Sequence, residues 1–180
     1  CAGRVALQAA GEEAPPLGRL YTQPPPRCTA CGSRVLEMLY CQPCGEVFLG
    51  GFTKELEGEA NKHYLIPDYP HLDRIPDRAG SLARTAGDYT IFWPSRTKPL
   101  FRSNKPNRWV WTQDQVANYQ WMSAELNHVE GSVRWPARSP GEGKTVGYVF
   151  QSPMETANAF ASKCPHCGED WGRLRTASPI

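Results

Sequence analysis

Apolar residues in this chain gather in short runs and alternations, not at helical spacing. Val35, Leu36, Met38, Leu39 and Tyr40 form one run whose length and β-capable content predict a buried strand. Residues 46–53 (EVFLGGFT) predict a second, with Gly50-Gly51 marking a bulge or bend. Weaker strand signals lie at residues 18–23, which the prolines from Pro24 stop, and at residues 63–66. Residues 89–93 (YTIFW) are aromatic and β-branched and end at Pro94, the clearest strand of the chain. Residues 94–108 read as a Pro-rich basic loop, followed by strands at 108–112 and 145–151. Within 121–127, Met122, Ala124 and Leu126 alternate with Ser123, Glu125 and Asn127, and a period of two belongs to a strand. Residues 128–131 then supply a turn and 132–135 a return strand. A helix over residues 114–129 is the competing reading. Residues 1–27 and 54–88 are otherwise loop-like, broken by Pro67, Pro70 and Pro76.

The pattern predicts a mainly β fold of short antiparallel strands and hairpins, with α+β as the alternative. A length of 180 residues suits one domain or a modest domain with a smaller attachment. Hydrophobic residues at 40% and charged residues at 21% support a packed core, while 16 Gly and 17 Pro demand many turns and argue against a helical bundle. No apolar run approaches the ~20 residues of a membrane span, and residues 1–20 lack a secretory pattern. Membrane and secreted classes fall away, and a cytoplasmic location is expected. The chain starts at Cys1 rather than Met, which reads as a piece of a longer protein.

The cysteines change the picture most. Three units repeat one pattern: Cys28-Thr-Ala-Cys31-Gly32, Cys41-Gln-Pro-Cys44-Gly45 and Cys164-Pro-His-Cys167-Gly168. Two thiolates separated by two residues can turn toward one cation, and a following Gly allows the positive φ that completes the knuckle. Two knuckles supply the four thiolates of a tetrahedral Zn²⁺ site. Disulfides within such units are strained, and a redox role for Cys164 and Cys167 wants a helix start that Gly168 and Gly172 do not favour. Two pairings remain open. Cys28/Cys31 could join Cys41/Cys44 across nine residues, as in a short ribbon. The intervening residues 32–40 hold no central turn residue, however, and an extended spacer of ~30 Å would keep those knuckles apart. Cys41/Cys44 would then meet Cys164/Cys167, and Cys28/Cys31 would meet Cys1 and a cysteine beyond the chain start. Each four-thiolate zinc site carries about −2, so two sites outweigh the formal net charge of +2. A zinc-bound water enzyme is disfavoured, because catalytic zinc keeps an open position among His or carboxylate ligands. No catalytic residue is assigned.

Two further constellations carry less. Gly141-Glu-Gly143-Lys144-Thr145 looks like part of a phosphate-binding loop, but Arg138 occupies the place of its first Gly and a strand follows it. A hairpin turn fits better. Between Tyr89 and Gln113 there is no Asp or Glu, while Arg96, Lys98, Arg102, Lys105 and Arg108 occur among Trp93, Phe101, Trp109 and Trp111. Cations neutralise phosphates and flat rings stack on bases, so Arg96, Lys98, Arg102, Lys105, Arg108 and Trp109 are candidate nucleic-acid contacts. The alternative is a solvated loop whose aromatics are core. His63, His71 and His128 read as ordinary surface or turn residues.

The stretch from Leu17 to Pro24, the block from Cys28 to Gly51, residues 89–94, residues 147–150 and the closing Cys164-Pro-His-Cys167-Gly-Glu-Asp-Trp171 resemble the cysteine-rich segment of large bacterial DEAD/DEAH-box superfamily 2 helicases of the DNA-repair and phage-defence type. The resemblance implies a zinc-ribbon accessory segment lying between the ATPase motifs and the second RecA-like lobe, with DNA engaged through the parent helicase. Partner proteins of a defence or repair system are a further expectation. ATP and Mg²⁺ would belong to the parent alone, since the ATP-binding loop, the Asp-Glu box and the arginine finger are absent here. The expected organisation is a zinc-knuckle segment at 1–53, a β-rich insert at 54–160 carrying the basic aromatic loop 93–111, and a closing knuckle at 161–180. Zinc, in one or two ions, is the expected cofactor.

Overall fold

A computed structural model describes residues 19–23, 25–55, 58, 61–67, 84–105, 108–113, 117–138, 143–152 and 154–170. The described residues form nine β-strands and no helix: β1 (Glu37–Tyr40), β2 (Val47–Glu55), β3 (Lys62–Ile66), β4 (Tyr89–Trp93), β5 (Arg102–Lys105), β6 (Arg108–Gln113), β7 (Ala117–Asn127), β8 (Ser132–Arg134) and β9 (Lys144–Gln151). The mainly β expectation holds, and β7 takes most of the segment for which a helix competed. His71 and residues 114–116 lie outside the described residues.

All pairings between the named strands are antiparallel. The sheet closes on itself because β7 pairs with β8 on one edge and β9 on the other, and the path β8–β3–β2–β4–β9 completes the ring. Closure removes the free edges of these six strands. The β5–β6 hairpin extends from β7, and β1 pairs with β2 outside the ring.

Both faces of this barrel are covered, which explains the continuous apolar runs that replace strict alternation in β2 and β4. Leu65, Phe92, Met122, Ala124, Leu126, Val133 and Val149 fill the interior, with Leu49 packed against them. The opposite face of β2, β4, β7 and β9 carries a second layer of Phe48, Phe52, Tyr89, Ile91, Trp93, Trp121, Tyr148 and Phe150. The returning segment 154–170 covers that layer. It is tied beside β4 by Ala86 N–H to Ala157 C=O (2.8 Å) and Ala159 N–H to Arg84 C=O (2.9 Å), and it buries Ala159 and Ala161.

Several local expectations need correction. Residues 19–23 form no strand, because nothing in the sheet pairs with them. The run at 35–40 is an edge strand, not a buried one: Met38 is 40% and Tyr40 59% exposed. The register runs without a shift through Gly50 and Gly51. At Gly50 the missing side chain makes room for Tyr89, since a Cβ would overlap the Tyr89 hydroxyl. That hydroxyl donates to Glu37 Oε2 (2.7 Å), and Arg84 donates to Glu37 Oε1 (2.9 Å). Finally, the loop expected at 94–108 contains β5, which exists because β6 offers it a hairpin partner.

Candidate metal centre

Each Cys-x-x-Cys-Gly unit folds as the same knuckle. The Gly N–H donates to the carbonyl of the first Cys at 2.9 Å (Gly32 to Cys28), 2.8 Å (Gly45 to Cys41) and 3.0 Å (Gly168 to Cys164). The first Cys N–H donates to the carbonyl five residues on, at Ser33 (2.8 Å), Glu46 (2.8 Å) and Glu169 (2.9 Å). The three glycines have φ of 70°, 76° and 76°, a region strained for any L side chain, which is why Gly follows the second Cys each time. Arg27 pairs with Arg34, Tyr40 with Val47 and Lys163 with Asp170, so each knuckle is the tip of a small hairpin.

Two knuckles face each other. Cys41 Sγ lies 3.8 Å from Cys167 Sγ, Cys44 Sγ lies 3.8 Å from Cys164 Sγ, and all four sulfurs fall within 4.8 Å of one another. Sulfurs placed tetrahedrally at the usual Zn–S bond of ~2.3 Å have edges of ~3.8 Å. The donor set therefore fits one tetrahedral metal ion such as Zn²⁺, and four thiolates close its shell in the manner of structural sites. Among the described residues no other group of three or more Cys, His, Asp or Glu gathers in this way.

The aromatic layer holds the two knuckles in place. Cys41 and Cys164 are buried in it, 1% and 0% exposed. Trp93 bridges them: its indole N–H donates to Glu46 Oε2 (2.7 Å), and its ring lies edge-on to His166, 6.3 Å between centroids. Sequence reasoning placed Trp93 in a strand and missed this role, because Glu46 and His166 are 120 positions apart. The signal available was the Gly-Glu that follows both Cys44 and Cys167.

The electrostatics suit a bound cation. Burial pushes the Cys44 thiol up to about 12 and the Cys164 thiol well above its ordinary value. At Cys167 burial acts in the same sense, but the Glu169 N–H and the neighbouring thiols outweigh it and hold the group below its ordinary value. Thiols kept neutral by burial must lose their protons to ligate a metal. Metal loading is thus expected to release protons, and the apparent affinity should rise with pH by about tenfold per unit for each proton released. Metal titrations at several pH values in weakly and strongly ionising buffers check this.

The third knuckle stands apart. Arg27 donates to Val129 C=O (2.9 Å) and Arg34 N–H to His128 C=O (2.9 Å), so Cys28 and Cys31 sit beside the β7–β8 turn. β1 leads from there to Cys41, the extended spacer expected from residues 32–40. Cys28 is buried, and the Tyr21 hydroxyl donates to its Sγ at 3.1 Å. That bond, with the Ala30 and Cys31 N–H groups, holds the Cys28 thiol below its ordinary value. Cys31 is disulfide-bonded. Cys1 lies outside the described residues.

A family model described as the YjiV N-terminal domain matches residues 20–179, a span that takes in all three knuckles. The chain belongs to the YjiV N-terminal domain family. No curated protein and no solved structure matches it.

In this YjiV N-terminal domain the remaining candidates fall into separate places. Arg96 and Lys98 are exposed on the loop after β4, which docks on the Cys164/Cys167 knuckle through Leu100 N–H to Pro165 C=O (2.9 Å). Arg102 and Lys105 are on β5, and Arg108 and Trp109 on β6. The register pairs Trp109 with Trp121, Trp111 with Tyr119, Arg108 with Met122 and Arg102 with Val110. Half-buried Trp109 packs edge-on against Tyr148, 5.0 Å between centroids, as part of the aromatic layer. The Gly143-Lys144-Thr145 stretch enters β9 directly, with Gly143 at φ 75°, as a turn and strand and not as a loop before a helix. Among the described residues no helix is long and apolar enough to cross a membrane.

Proposed function

We propose that this chain is a zinc-stabilised accessory segment of an ATP-dependent DNA helicase, structural in its own right and contributing to DNA engagement. The observation that carries the structural part is the four-sulfur cluster, which ties the β1–β2 turn to the end of segment 154–170. The helicase part rests on the sequence resemblance of the block from Cys28 to Gly51 and the closing knuckle. ATP and Mg²⁺ belong to the parent protein, in a cytoplasmic setting, and hydrolysis does not occur on these residues. A second zinc site on Cys28, Cys31 and Cys1 would first require reduction of the Cys31 disulfide, so the oxidised chain holds a single zinc at the four-sulfur cluster.

DNA engagement falls to the exposed Arg96 and Lys98 beside the metal centre, with Arg102, Lys105 and Arg108 on the adjoining hairpin and Trp109 supporting it from the aromatic layer. Phosphate contacts release counterions, so binding of a fluorescent single-stranded oligonucleotide should weaken steeply with salt. Changing Arg96 and Lys98 together to Glu should weaken it further and reduce the log–log salt slope by about 0.7 per lost contact. An interaction scaffold within a defence or repair complex is the second reading. It is favoured by Tyr40 and Leu100, 59% and 65% exposed close to the metal centre. Oligonucleotide binding that is absent, or that ignores both salt and the charge reversal, would discard DNA engagement in favour of the scaffold.

A further inference from the structure

The four ligands are not equivalent in their access to solvent. Cys41 and Cys164 are sealed in the aromatic layer, Cys44 is half-buried, and Cys167 is exposed. A small oxidant in solution therefore meets Cys167 first. Across the cluster Cys41 Sγ lies 3.8 Å from its sulfur, within reach for a bond between the two knuckles. The Gly168 N–H to Cys164 C=O bond and the Cys164 N–H to Glu169 C=O bond keep the two cysteines of its own knuckle in their loop.

We propose that Cys167 is an oxidation site through which a peroxide releases the metal and converts the centre into a disulfide between Cys167 and Cys41. This rests on the zinc reading given above. The Cys167 sulfur attacks one peroxide oxygen, the O–O bond breaks and hydroxide leaves, giving a sulfenic acid. The Cys41 thiolate attacks that sulfur, the S–S bond forms and a second hydroxide departs. The two sulfurs together lose two electrons, which reduce the peroxide, and the ion left on two thiolates dissociates. Because the new bond joins the same two knuckles as the metal, the oxidised chain keeps segment 154–170 tied to the β1–β2 turn.

The test starts from the zinc-loaded chain with its zinc counted. Hydrogen peroxide is added stepwise, zinc release is followed with a chromophoric chelator, and disulfides are mapped by peptide mass. The expected result is one zinc released per disulfide, with Cys41–Cys167 as the first link and an intact mass lower by two hydrogens. Cys167→His keeps a fourth ligand but removes the exposed sulfur, so the fast phase of release should be lost. A first disulfide between Cys44 and Cys164, or within one knuckle, overturns the proposal, as does release from Cys167→His at the unmodified rate. Should the histidine variant fail to hold zinc, the disulfide map of the unmodified chain decides. A zinc count of zero before peroxide counts against the metal reading alone, and the order of thiol oxidation still judges Cys167.

Discussion

Replacing Cys164 with Ser is expected to abolish stoichiometric zinc binding and to loosen segment 154–170 from the barrel. Cys164 is wholly buried, 3.8 Å from Cys44, and its loss leaves three thiolates and a hydroxyl that ionises poorly in that setting. Structural zinc contributes apparent binding free energies of about 10–16 kcal/mol in small zinc-finger peptides. Here the interior cluster around Phe92 and Leu65 is built from the barrel strands with Trp135 and Leu36 beside them and takes no residue from segment 154–170, so the barrel should outlast the metal. The expected signature is early proteolysis within 154–170 and a lower melting temperature, in the variant and in the chelated parent alike. Cys28→Ser serves as the contrast, because its knuckle lies beside the β7–β8 turn, and it should leave this ion in place. One zinc retained by Cys164→Ser, with an unchanged melt, would contradict the assignment.

The second large effect concerns the barrel itself. Gly147 on β9 pairs with Ala124 on β7, and a Cβ there would overlap the Trp93 carbonyl oxygen and the Phe92 ring. The first neighbour is backbone, which cannot rotate away, and the second is a fully buried ring. Trp93 is also the residue that contacts both knuckles, so displacement of β4 is felt at the metal centre. Gly147→Ala should therefore destabilise the chain by about 3 kcal/mol or more and lower its zinc affinity. Urea unfolding and a competitive chelator titration read the two quantities. A change below about 0.5 kcal/mol would show that β4 and β9 can separate without cost.

What was legible in the sequence is what a short window encodes. The knuckles announce themselves because thiol spacing and the obligatory Gly lie within five residues, and the structure gives all three the same bonds. The strand at 89–93 was plain because both of its faces are buried, and β7 because its two faces differ. Even the choice of knuckle partner was within reach, since residues 32–40 lack a turn and β1 is extended there. The illegible parts depend on residues far apart. Nothing in the run Leu36 to Tyr40 says that only β2 will pair with it, so its exposure was missed. The polar RSNK of β5 is a strand only because β6 is beside it. Of the basic and aromatic residues of 93–111, Trp93 and Trp109 belong to the aromatic layer while Arg96 and Lys98 are exposed, a division set by packing partners far away in sequence.

The central claim is a closed four-sulfur metal site joining two distant knuckles, and X-ray absorption at the zinc edge of the purified chain tests it most directly. The account predicts one tightly held zinc whose first shell is four sulfurs at ~2.3 Å, a shell that Cys28→Ser leaves unchanged. A shell containing nitrogen or oxygen, or a chain that retains no stoichiometric metal with its four cysteines reduced, would contradict it.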